Sequence, residues 1–168
     1  MDAAQGQSAG KDQDSENIFY HIAGFVDGEG AFPIQIRKTP DTKFGFTITP
    51  EFKISQHKDY GKILEIIQKA LECGKIPVKS GQPNLLVLVE KSRKNLSEKI
   101  IPFFEKYPLI VKQEQFNKFK EIVKRLNNNE QFNKERFEKI VELVFQTKGK
   151  GKRKYRKEEI LSFLSPKN

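Results

Sequence analysis

The spacing of apolar residues changes period several times along the chain, and each change marks an element. Ile18, Ile22, Phe25 and Val26 recur at helical spacing, with Asp14, Ser15 or Asn17 placed to cap the start and Gly28 and Gly30 to stop it. Two alternating runs follow. Over 31–38, Phe32, Ile34 and Ile36 alternate with Gln35 and Arg37. Over 44–56, Phe44, Phe46, Ile48, Phe52 and Ile54 alternate with Gly45, Thr47, Thr49, Glu51, Lys53 and Ser55. A period of two puts one set on a buried face and the other on a wet one. The turn-like segment 39–43 between the runs predicts a long hairpin. A helix is predicted over 58–72, with Ile63, Ile66, Ile67 and Leu71 inward and Gly74 at its end. A shorter hairpin follows over 75–89, turning at 80–83. Further helices are expected over 94–107, 113–126, 135–146 and 158–164. In the middle two of these, Phe116, Phe119 and Phe137 sit at core spacing, as packing residues rather than base-stacking platforms.

The order α-β-β-α-β-β-α predicts an α+β fold, with one antiparallel four-stranded sheet, helices packed on one face, and a polar, partly basic face left open. The expected organisation is a flexible N-terminal tail (1–16), one core (17–147) and a basic C-terminal extension with a short helix (148–168). A length of 168 residues suits a single core. The net charge of +9 is uneven: the balance is −3 over 1–50, +4 over 51–110 and +8 over 111–168. Positive charge gathered toward one end suits a polyanionic partner. Cys73 is the only cysteine, so no disulfide can close within the chain, and with two histidines (His21 and His57) it offers no all-protein zinc site. No stretch approaches the ~20 apolar residues of a membrane span. The acidic start, with no apolar h-region, is expected to be neither a secretory signal nor an Arg-rich transit peptide. These features predict an intracellular protein, of a prokaryotic cytoplasm or nucleoid or an organelle matrix, with neither a membrane partner nor a small-molecule substrate.

One segment is open to two readings, a capped helix end with two solvated acids, which composition alone favours, or a site that uses them. In Ile22-Ala23-Gly24-Phe25-Val26-Asp27-Gly28-Glu29-Gly30, two acids stand at the end of a helix, beside its partial negative charge. That placement costs a few tenths to ~1 kcal/mol each. Glycines within the same helix cost roughly 0.5–1 kcal/mol apiece. A bound cation would reverse the first penalty, and a close-packed helix would use the small residues behind the second.

This nine-residue string, followed by an alternating strand, resembles the LAGLIDADG motif of homing endonucleases. The element order matches that family over about 17–147, with a single motif copy. The resemblance implies a homodimer formed through the motif helix, with Ala23, Gly24, Asp27 and Gly28 at the interface. It also implies a catalytic, metal-binding carboxylate at the motif's eighth position, Glu29, where Glu replaces the usual Asp. The Gly28 carbonyl would be a further ligand to Mg²⁺, for which Mn²⁺ or Ca²⁺ can stand in. By the same resemblance Gln56 orients the attacking water and Lys112 stabilises the transition state. The implied activity is hydrolysis of one phosphodiester in each strand of a long pseudo-palindromic duplex, leaving short 3′ overhangs, in an intron- or intein-encoded enzyme. A maturase acting on RNA, or a non-cleaving DNA-binding regulator, would keep the fold without needing Glu29 and Lys112.

The open face of the sheet would then read double-stranded DNA. Its candidates are Gln35, Arg37, Thr39, Thr47, Thr49, Glu51 and Lys53, with Lys75, Lys79 and Asn84 from the second hairpin. These are residue types that reach base edges from strands lying in a major groove. The run over 148–157 holds seven basic residues in ten and no acid. From it Lys148, Lys150, Lys152 and Arg153 are expected on phosphates, adding affinity without sequence information.

Overall fold

The computed structural model describes residues 6–147 and 153–164, with side chains from residue 16 onward. Helix α1 (Gly6–Glu29) leads into β1 (Gly30–Ala31), β2 (Ile34–Lys38), β3 (Phe46–Pro50) and β4 (Phe52–His57). After α2 (Lys62–Leu71), strands β5 (Val78–Lys79) and β6 (Gln82–Glu90) form the second hairpin. A helical stretch follows, made of α3 (Arg93–Asn95), a π-helical turn (Leu96–Ile100) and α4 (Ile101–Lys106). Helices α5 (Gln113–Asn127), α6 (Lys134–Gln146) and α7 (Lys157–Ser162) complete the order.

The antiparallel four-stranded sheet runs β1-β4-β6-β5, and β2-β3 form a two-stranded extension. The two predicted long strands are thus each split in two, and Pro33 is the reason. It has no N–H to give the ladder, although its carbonyl still accepts from Glu51 N at 2.9 Å. Register is unchanged across the break: Ala31 pairs with Lys53 on one side, and Ile34 with Pro50 on the other.

Even-numbered residues of this hairpin face the core, where Phe32, Phe52, Ile54 and Leu88 are at most 1% exposed. Phe32 is the hub, with ring centroids 5.1 to 5.8 Å from those of Phe52, Phe104, Phe116 and Phe119. Phe116, Phe119 and Phe137 are buried, in keeping with the packing role their spacing predicts. Ile66 departs from expectation, because Leu64 fills the inward position of α2 and Ile66 is 36% exposed.

Helix α1 also begins earlier than expected, at Gly6, so Asp14, Ser15 and Asn17 are interior positions and not caps. Once the apolar turns from residue 18 onward are nucleated, adding a residue costs little, and no proline interrupts 6–17. At the other end, α7 is a docked element. Ile160 is fully buried, and Phe163 and Tyr155 set their rings 5.1 and 5.3 Å from that of Phe46.

Candidate active site and nucleic-acid interface

The C-terminus of α1 is tied to a segment far away in sequence. The Asp27 carboxylate accepts backbone hydrogen bonds from Ile110 (2.7 Å), Val111 (2.9 Å) and Lys112 (2.8 Å). In return the Lys112 ammonium donates to the carbonyls of Gly28 (2.8 Å) and Val26 (3.2 Å). Residues 26–28 and 110–112 are therefore clasped in both directions. Burial pushes the Asp27 carboxyl up, but the three N–H donors and the Lys112 charge more than reverse this and hold it below its ordinary value. Lys112 also places a full positive charge against the negative end of α1, offsetting the cost of acids there.

Glu29, the last residue of α1, is exposed. Gly30 must follow it, because a Cβ there would lie 2.6 Å from Val26 Cγ1 and 2.7 Å from the Val26 carbonyl oxygen. Only glycine lets the chain turn from helix into β1 at that point. Gln56 lies two residues beyond Ile54, the partner of Gly30, and so at the α1 end of β4. Its Oε1 accepts from His57 N at 2.7 Å. The fold thus brings Glu29, the Gly28 carbonyl and Lys112 to one helix end, with Gln56 on the adjoining strand.

Two of the expected interface residues take other places. Ala23 is only 4% exposed because it lies beside Ile22 and Val26 on the core side of α1. Asp27 is committed to the 110–112 segment of its own subunit. Gly24 and Gly28 do lie on the open face of α1, with nothing within 4 Å of where a Cβ would stand. Tyr20 is 59% exposed on that face, with its ring edge-on to that of Tyr107.

The open face of the sheet holds Gln35 paired with Thr49 and Arg37 paired with Thr47. Lys53, in β4, and Lys75, in an isolated bridge before β5, flank Val89. Thr47 and Thr39 share a hydrogen bond of 2.9 Å between hydroxyls, and Lys79 pairs with Gln82 at the tip of the second hairpin. Three candidates need correction. Glu51 has the right face but is buried, paired with Lys53 and, at 3.1 Å, with Lys91. Asn84 falls in the alternate set of Leu86 and Leu88, whose face is the core side, and is exposed because the strand runs past the core. Arg153 is spent on its own chain: its guanidinium donates to the Val144 carbonyl and to Thr147 Oγ1 (2.8 Å), and lies over the Phe145 ring. Five donors suit the loose carbonyls of a helix C-terminus, and burial pushes the Arg153 pKa down. Lys148, Lys150 and Lys152 lie outside the described residues. Lys91, opposite Glu51, is the cation that the sequence reading missed, because it follows the last apolar residues of β6.

The profile of the LAGLIDADG endonuclease family matches residues 22–123. The chain belongs to that family. The DNA endonuclease I-CeuI of Chlamydomonas moewusii is 35% identical over 112 residues, which is 64% of this chain and 51% of that protein. Homing endonuclease I-ApeII of Aeropyrum pernix is 31% identical over 103 residues, 61% of this chain and 60% of its own length. The chain thus spans little more than half of either relative. Among solved structures, the archaeal intron-encoded homing endonuclease I-Vdi141I complexed with DNA is 34% identical with a TM-score of 0.83, covering 89% of this chain and 95% of that one.

Members of this LAGLIDADG family use a divalent cation, and the donors here fit one. Glu29 and the Gly28 carbonyl are hard oxygen ligands at a negative helix end; that carbonyl now accepts from the Lys112 ammonium, which a metal would have to share it with or displace. Among the described residues no three His, Cys, Asp or Glu side chains cluster. Among the same residues no helix is long and apolar enough to cross a membrane.

Proposed function

We propose that the chain is a site-specific DNA homing endonuclease that works as a homodimer, each subunit hydrolysing one phosphodiester of a long pseudo-palindromic duplex. The observation that carries this reading is the convergence of Glu29, the Gly28 carbonyl and Lys112 at the end of α1, beside a sheet whose open face is polar and cationic. The DNA in the I-Vdi141I structure supports the substrate class.

In this reading Arg37, Gln35, Thr47, Thr49, Lys53 and Lys75 enter the major groove and set the register. The active site then meets the backbone with Glu29 directed at the scissile phosphate. Glu29 and the Gly28 carbonyl would hold Mg²⁺, which would supply a polarised water and neutralise charge on the phosphate oxygens. Lys112, clasped by Asp27, presents a fixed positive charge where the pentavalent phosphorane develops. Gln56 orients the water by hydrogen bonding at the strand end. The open face of α1 around Gly24 and Gly28 supports assembly through close helix packing about a two-fold axis.

A library of randomised duplexes, incubated with the chain and Mg²⁺ and sequenced at the cut ends, tests this directly. Enrichment of one pseudo-palindrome cut in both strands, abolished in Glu29→Gln, is expected. Binding without cutting under Mg²⁺ and Mn²⁺ would overturn the enzymatic part.

A further inference from the structure

A carboxylate buried on the solvent side of a sheet calls for a reason, and Glu51 is one. Its side chain is 2% exposed, although it belongs to the alternate set that faces outward with Thr49 and Lys53. Its backbone N–H is fixed to the Pro33 carbonyl at 2.9 Å. Lys91 stands one step beyond the Phe52–Glu90 pair, and so across from Glu51, while Lys53 lies two residues along the same strand. The two ammonium groups meet different oxygens of the one carboxylate: Lys53 contacts Oε2, and Lys91 lies 3.1 Å from Oε1. The lysines themselves stay open, with side chains 33% and 52% exposed.

We propose that Glu51 is a specificity-determining positioning residue, which holds the ammonium groups of Lys53 and Lys91 as fixed donors toward base edges in the groove. The proposal rests on the DNA-reading role of this face. A free lysine is a point charge on a flexible stem and moves to the nearest phosphate. Tethered to a buried carboxylate, its ammonium keeps N–H groups to donate but loses its swing and part of its field. It then discriminates by what lies in register, such as the O6 and N7 acceptors of guanine. One carboxylate between two ammonium groups also leaves a net single charge where two would attract any sequence. Burial pushes the Glu51 carboxyl up, but both lysines hold it below its ordinary value, so the tether is ionised at neutral pH.

The test uses the full chain and a duplex selected by the wild type from a randomised library, with a scrambled duplex of the same length as the non-specific probe. Glu51→Gln keeps the size of the side chain and removes its charge. It is expected to bind the scrambled duplex several-fold tighter, with a salt dependence steeper by about one ion. The ratio of selected to non-specific affinity is expected to fall about tenfold, through lost preference at the base pairs that Lys53→Met and Lys91→Met also relax. Equal weakening on both DNAs, with unchanged salt slope and base preference, would reduce Glu51 to a structural role and overturn the proposal. Should Glu51→Gln not fold by circular dichroism, the two lysine variants decide, and unaltered base preference in both is equally fatal. A wild type that enriches no sequence refutes instead the DNA-reading role beneath the proposal.

Discussion

At the scale of single residues, the motif makes some roles legible and hides others. Glu29 stands out in the sequence because an acid at a helix C-terminus is an electrostatic cost that a cation can reverse. Exposed, it can lose its charge without harm to the core, so Glu29→Gln is expected to bind the selected duplex within about threefold of wild type by gel shift. It is expected to cut neither strand in a nicking assay, and cleavage at the wild-type rate would remove Glu29 from the site. Asp27 was equally visible as a residue, but its partners lie 83 to 85 positions away and nothing local names them. Asp27→Asn keeps one oxygen for the Ile110 and Val111 N–H groups but sets an amide NH2 against the Lys112 N–H, an expected cost of about 1–3 kcal/mol in urea denaturation. Because the folded pKa lies below the unfolded one, this stabilisation is full above the unfolded value of about 3.9 and drains as pH falls through the folded value. The gap between wild type and Asp27→Asn is therefore expected to narrow in acid, and a gap constant down to about pH 2 would contradict the clasp. Glu51 shows a different limit: alternation assigns its face correctly, but one of its two ion-pair partners, Lys91, comes from across the sheet.

At the scale of elements, periodicity carried the strands and the amphipathic helices, whose inward residues Phe116, Ile122, Ile140 and Val144 are all fully buried. What it could not carry was the interruption at Pro33, since side-chain alternation continues through a residue that merely lacks a donor. Nor could it place residue 153, where a run of like charges reads as a solvated tail until one member finds a helix end. Arg153→Ala frees the last carbonyls of α6 and loosens the junction to α7, so a loss of about 1–3 kcal/mol is expected in thermal or urea melts. Truncation at residue 148 is the wrong probe of phosphate binding, because it strips Ile160 and Leu164 from the core. The junction between α1 and β1 is the most constrained element boundary. Gly30→Ala drives a methyl group into Val26 backbone and side chain at 2.6 to 2.7 Å. The expected result is a loss of about 1–3 kcal/mol, with cleavage falling further than binding because Glu29 moves with the junction. Wild-type stability in that variant would show that the chain can turn there without glycine.

At the scale of the whole molecule, the single motif copy carries the argument for assembly. In the proposed reading one subunit supplies one Glu29, whereas a double-strand cut needs two sites at a set spacing. The face available to set that spacing is the open side of α1, where Gly24 has no neighbour within 4 Å of a would-be Cβ inside its own subunit. That vacancy makes the position a clean test. Gly24→Leu places bulk only where a second helix would approach, and it replaces a poor helix former with a good one, worth about 0.5–1 kcal/mol to the protomer. The melting temperature of the protomer at low concentration is therefore expected to hold or rise slightly. In analytical ultracentrifugation the variant is expected to sediment as a monomer at concentrations where the wild type is a dimer. Double-strand cutting should disappear with the dimer, leaving at most slow nicking at half-sites. A Gly24→Leu protein that remains dimeric and cuts both strands of one bound duplex would move the interface elsewhere. A wild type that is monomeric when bound to the selected duplex, yet cuts both strands of it, would break the link between one motif and two subunits.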